Sequence, residues 1–146
     1  MRYHLLAAAG LAFATMTGCA STSTPEPAPA PAAPTGGAAL AGPEWSVFEI
    51  NGAGIVADSK PTINFEEGRV FGAGSCNRFM GGYTLSADGL KLEMSQMAST
   101  MMACPEPLMR QEGVYLKTLG AVTAYSVADG VLTLKTPDGQ TIRAKR

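Results

Sequence analysis

Cysteine, methionine and a few isolated carboxylates are the side chains in this 146-residue sequence best placed to do chemistry. Cys76 and Cys104 sit in two dense patterns, Gly74-Ser75-Cys76-Asn77-Arg78 and Ser99-Thr100-Met101-Met102-Ala103-Cys104. Such a pair can form a disulfide, hold a soft metal or exchange electrons. No Cys-x-x-Cys spacing occurs, which argues against a redox-catalytic pair. Met80, Met94, Met97, Met101, Met102 and Met109 are a dense set of thioethers. Together with a thiolate they would suit Cu(I); as plain apolar groups they would fill irregular gaps in a core, which is the simpler expectation. Gly72, Gly74, Gly81 and Gly82 flank Cys76 to Met80. Glycine there permits positive φ and close backbone approach. A phosphate cradle would need a helix directly afterwards, whereas Tyr83-Thr84-Leu85 reads as strand, so a tight structural loop or bulge is expected.

The third cysteine, Cys19, belongs to a different context. Residues 1–18 open with Arg2 and His4, run through Leu5-Leu6-Ala7-Ala8-Ala9-Gly10-Leu11-Ala12-Phe13-Ala14, and end in Met16-Thr17-Gly18. This is the layout of a secretory signal, with an apolar stretch too short to span about 30 Å of hydrocarbon. Met16-Thr17-Gly18-Cys19 resembles a lipobox, so residues 1–18 are expected to be a lipoprotein signal peptide and Cys19 the lipidated residue. The alternative is an ordinary secreted protein with a free Cys19. Acyl chains would tether the protein at about 0.8 kcal/mol per buried methylene. Ala20 follows the cysteine where Asp would suggest inner-membrane retention, which points to the outer membrane, facing the periplasm.

His4, the single histidine, lies inside that signal. From Cys19 onward the chain has none, which excludes His-based acid/base chemistry, Ser-His and Cys-His nucleophiles and the common His-ligated zinc sites. Without Arg2, ten basic side chains remain against twelve acidic ones, and this even mixture gives no footprint for nucleic acid. With Cys19 acylated, Cys76 and Cys104 are the two remaining thiols, in an oxidising compartment. A disulfide between them is expected, contributing about 3.5 kcal/mol by loop closure. The alternative is two buried, reduced cysteines acting as small apolar residues.

These residues need elements to hold them. Residues 19–43 read as a linker: Ser/Thr, then Pro/Ala, then Gly/Ala, with little to bury and alternating prolines that favour an extended, semi-rigid spacer. Residues 44–146 read as the folded unit. Asn51-Gly52, Glu67-Gly68, Asp88-Gly89, Asp129-Gly130 and Asp138-Gly139 mark turns. Period-two alternation between them predicts strands near 45–50, 61–66, 69–74, 81–85, 89–94, 121–127, 130–135 and 139–145, paired as antiparallel hairpins. Leu90, Leu92 and Met94 are expected on one face, and Leu132 and Leu134 on another. Pro105 to Leu119 reads as a helix, with Pro105 or Pro107 in the first turn and Gly120 as C-terminal cap. Leu108, Met109, Glu112, Tyr115, Leu116 and Leu119 share its apolar stripe. A carboxylate in that stripe needs a partner, and Arg78 is the expected one. The fold class is α+β: an antiparallel β-rich sheet or partly open barrel with one helix packed on it.

The folded unit resembles the META domain (HslJ-like) family. The likeness rests on Trp45, then Gly72, Gly74, Cys76, Asn77, Arg78, Phe79, Gly82 and Tyr83, then Thr100-Met101-Met102-Ala103-Cys104, and finally Glu112, Tyr115, Leu116 and Leu119. Ser75 stands where many members have Gly, a small departure that restricts the turn. The resemblance implies a small antiparallel fold with one packed helix, the company of bacterial lipoproteins and envelope-stress proteins, and a structural role for Trp45, Gly74, Asn77, Arg78, Gly82, Tyr83, Thr100, Met101 and Glu112. It supplies no enzyme activity and no cofactor. The expected function is therefore a non-catalytic, lipid-anchored envelope module, attached to the membrane by its lipid and supporting envelope integrity or stress tolerance through contacts with an envelope protein or small ligand. A periplasmic Met/Cys copper or redox sensor is the alternative.

Overall fold

Two-residue turns set most of the architecture. Asn51-Gly52, Glu67-Gly68 and Asp129-Gly130 all have positive φ at both positions. Primed hairpin turns require this, and Gly, Asn and Asp tolerate it best. The computed structural model describes residues 36–146. Cys19, the signal segment 1–18 and residues 19–35 of the linker lie outside the described residues.

The strands are β1 (Trp45–Ile50), β2 (Ala53–Gly54), β3 (Thr62–Glu66), β4 (Arg69–Ala73), β5 (Arg78–Leu85), β6 (Leu92–Met94), β7 (Ala98–Ser99), β8 (Ala124–Ala128), β9 (Val131–Lys135) and β10 (Thr141–Lys145). The helices are α1 (Gly37–Leu40) and α2 (Glu106–Gly120). The sheet runs β6-β5-β4-β3-β1-β10-β9-β8, with the short β2 on β1 and β7 on β5. Every pairing among the described residues is antiparallel. The two ends nearly meet through an isolated bridge between Lys91 and Ala124 and a bond from Leu92 N–H to Thr123 O of 3.2 Å. The expected partly open barrel, with one substantial helix against it, is the observed architecture.

Alternation fills its interior with Ile63, Phe65, Val70, Phe79, Leu132, Leu134, Ile142 and Ala144, all buried. In β1 the register shifts between Val47 and Glu49, so Trp45 and Val47 face inward and then Ile50 does. Such a bulge changes which side chains reach the core. Helix α2 adds Tyr115 and Leu119, both fully buried. The Tyr115 ring meets Phe79 edge-on at 5.6 Å. Burial pushes the Tyr115 hydroxyl well above its ordinary pKa, and it donates as a neutral group to Thr62 O at 3.2 Å.

Several expectations change in detail: β5 begins at Arg78 rather than near 81, and β8 at Ala124 rather than near 121. The strand read over 89–94 is regular only at Leu92–Met94, and Leu90 is exposed in the preceding turn. Gly120 is the last helical residue and lacks the left-handed φ of a capping glycine; Ala121 takes the cap position instead. Met109 is exposed rather than part of the buried stripe. The packed body also begins before residue 44, because Ala39 and Leu40 of α1 are buried. Trp45 donates from Nε1 to Leu40 O (3.0 Å), and the Arg146 guanidinium lies 4.1 Å from the indole centroid while bonding Ala39 O and Ala41 O. Two apolar side chains in a small-residue stretch were enough to dock it.

Candidate functional site

The hairpin joining β4 to β5 carries most of the chemistry-bearing residues. Gly74 N–H donates to Asn77 O at 2.7 Å, leaving Ser75 and Cys76 at the tip. Neither has positive φ, unlike the primed turns elsewhere. This hairpin therefore lacks the self-supporting turn geometry of the others and is held from outside.

Glu112, near the middle of α2, is what holds it. Oε2 accepts the backbone N–H of Cys76 (2.8 Å) and of Asn77 (2.6 Å), and Oε1 accepts Asn77 Nδ2 (2.7 Å). Glu112 as a whole is only 7% exposed. Burial raises its pKa, but the bonds from Asn77 N–H and Nδ2 and from the Cys76 and Ser75 N–H groups outweigh this, holding it below the ordinary glutamate value. Converging amides form an anion cradle of the kind that elsewhere receives a ligand. Here the protein's own carboxylate fills it.

Asn77 carries the network outward. Its Oδ1 accepts from Thr100 Oγ1 (2.9 Å) and from Met102 N–H (2.6 Å). Thr100 Oγ1 in turn accepts Arg78 N–H at 3.2 Å. One amide thus ties hairpin, helix and the β7–α2 segment together. A disulfide between Cys76 and Cys104, Cα atoms 6.0 Å apart, reinforces the connection. The expected bond is present, and the two-thiol alternative is not what this structure contains.

The Arg78–Glu112 ion pair, by contrast, does not form. Glu112 is surrounded by N–H donors, and Arg78 points outward and is exposed. A backbone that presents several amides at one point satisfies a carboxylate as well as a guanidinium does. The motif glycines are likewise reassigned: Gly72, Gly74, Gly81 and Gly82 do not have positive φ. They provide space. A Cβ on Gly74 would overlap the Glu112 carboxylate, on Gly72 the Thr62 carbonyl, and on Gly81 the Met97 sulfur, while on Gly82 it would crowd Ser95. The residue that differs from many META domains has a partner too, since Ser75 Oγ accepts from Gln111 Nε2 at 2.6 Å. Gln111 also bonds Ser59 Oγ (2.8 Å) and the Val56 N–H (2.7 Å). Sequence reasoning missed Gln111; its only signal was its place next to Glu112.

The remaining singled-out residues divide sharply. Trp45 is buried, and Tyr83 is half-buried with its ring edge-on to Phe65 at 5.3 Å. Arg78 and Met101 have no such role. Met101 is 97% exposed, and the Arg78 side chain has no hydrogen-bond or ion-pair partner among the described residues. The expectation that methionines fill core gaps holds only for Met94 and Met97, which pack against the core. Met80, Met101, Met102 and Met109 are exposed. Among the described residues, no group of three His, Cys, Asp or Glu side chains is placed to hold a metal.

The sequence matches the META domain over residues 38–146. The chain belongs to the META domain family. A protein from Burkholderia xenovorans, solved by NMR, shares its fold with a TM-score of 0.60 at 23% identity, over 84% of this chain and 96% of that one. A crystal structure of a DUF4847 family protein from Bacteroides vulgatus aligns with a TM-score of 0.58 at 13% identity, over 73% and 93% respectively. At these identities the likeness shows the fold alone. No curated protein matches the sequence.

Proposed function

We propose that this META domain is a non-catalytic module of the bacterial envelope, lipid-anchored through Cys19 on a Pro/Ala-rich spacer, that supports envelope integrity or stress tolerance through contacts with an envelope protein or small ligand. The observation that carries this reading is the Glu112 cradle. The motif groups best able to do chemistry, Glu112, Asn77, Cys76 and Cys104, are all engaged in holding the hairpin. A carboxylate held ionised by three donors is a poor general base, because its low pKa weakens its pull on a proton. What the domain leaves facing outward is a surface suited to contact.

Mass spectrometry of protein recovered from outer-membrane fractions of the native host tests the anchoring. The expected species starts at an acylated Cys19. An uncut chain in the cytosolic fraction would overturn it. The copper reading draws support from exposed Met101 and Met102, close in sequence to Cys104. It requires the disulfide to open, since Cu(I) prefers thiolate and thioether ligands. Near-stoichiometric, tight Cu(I) uptake by the reduced domain would favour it over the contact module.

A further inference from the structure

The outer face of β3, β4 and β5 holds a cavity of about 690 Å³, within the range of small-molecule sites. The strand register arranges its lining in rows. Asn64, Phe71 and Met80 stand side by side across three strands, with Ala98 of β7 beyond Met80. One step along the sheet, Ala73 pairs with Arg78. Phe71 and Met80 are 36% and 65% exposed, an apolar floor turned to solvent.

The charges around that floor are unequal in availability. Arg69 is already paired with Glu66 at 3.1 Å. The Glu44 carboxylate accepts from Asn64 Nδ2 at 3.1 Å on the far side. Arg78 is the cation in this lining without a partner among the described residues. Bonded to Asn64, the Glu44 carboxylate sits beside β3, two strand positions from β5 and so roughly 10 Å of sheet away from Arg78. An anionic head is repelled at one side and attracted at the other, so both charges favour the same orientation.

We propose that this face binds a small amphipathic carboxylate, a fatty acid, with its head on the Arg78 guanidinium and its chain across Phe71 and Met80. Guanidinium and carboxylate match in charge and can form paired hydrogen bonds. Phe71 and Met80 offer flat and adaptable apolar contact to an unbranched chain. The inference rests on reading the domain as a contact module, and it is independent of the anchor. Failed fatty-acid binding would leave the Cys19 result standing, and a cytosolic, uncut chain would leave the binding result standing.

The test is calorimetric titration of the full-length chain with dodecanoate, below its micellar concentration, with dodecanol and dodecyltrimethylammonium as matched probes. Saturable one-to-one binding of dodecanoate is expected. Arg78→Gln should weaken it by about tenfold, to the level of dodecanol, and the cationic probe should not compete. Met80→Glu should abolish binding, with an unchanged melting temperature showing that the variant folds. Equal affinity for acid and alcohol in the wild-type chain, or no loss with Arg78→Gln, would overturn the proposal. So would preference for an acidic peptide, competing with dodecanoate at lower concentration.

Discussion

Two neighbouring regions of this domain handle charge in opposite ways. At the tip of the β4–β5 hairpin, a buried carboxylate has every oxygen occupied and its partners are locked by further bonds. On the outer face of the same two strands, Arg78, the next residue along, stands exposed above an apolar floor. Adjacent motif positions therefore have different work: Cys76, Asn77 and Phe79 hold the body together, and Arg78 faces outward. A motif read as one structural unit is two, interleaved by the strand's alternation.

The difference between the two regions depends most on Glu112. Glu112→Ala leaves three donors without their acceptor and should cost about 3–5 kcal/mol, read from chemical denaturation. Opening the disulfide, in the Cys76→Ser/Cys104→Ser double variant, frees a loop spanning 28 positions and should cost about 3.5 kcal/mol. A smaller loss of about 2 kcal/mol is expected from Gly74→Ala, which forces the added methyl against the Glu112 carboxylate. Arg78→Gln should change stability by less than about 0.5 kcal/mol. A large destabilisation there would erase the distinction between the two regions.

Acidity sharpens the contrast. The folded-state pKa of Glu112 lies below its ordinary value. Its stabilising contribution is therefore complete above the unfolded pKa of about 4.3 and is lost as pH falls through the folded value. Glu112→Gln should consequently be less stable than the wild type at pH 7, with the gap narrowing below about pH 4. A gap independent of pH would mean that shape, not charge, holds the hairpin.

Much of the body was legible because its signals are local. The Asn-Gly, Glu-Gly and Asp-Gly pairs marked turns, and alternation in Val131–Lys135 placed Leu132 and Leu134 inside. Pro105 and Pro107 marked the helix start. The site was less legible because its decisive contacts are distant in sequence. Charge complementarity suggested an arginine for Glu112, whereas the fold supplied amides from 35 and 36 positions away. Glycines chosen for the room they leave look the same in sequence as glycines chosen for φ. The methionines misled because composition does not record which side of a strand faces out: Phe79 points in and Met80 points out.

The Arg146 guanidinium lies across Trp45. The seam where the body's first turn of helix meets its final strand is shut by a single flat cation, acting as a latch over the chain's sole indole. Intrinsic fluorescence is thus a built-in gauge of that closure. Lifting the latch, by Arg146→Ala, should let water reach the ring and redden its emission while the distant hairpin stays shut.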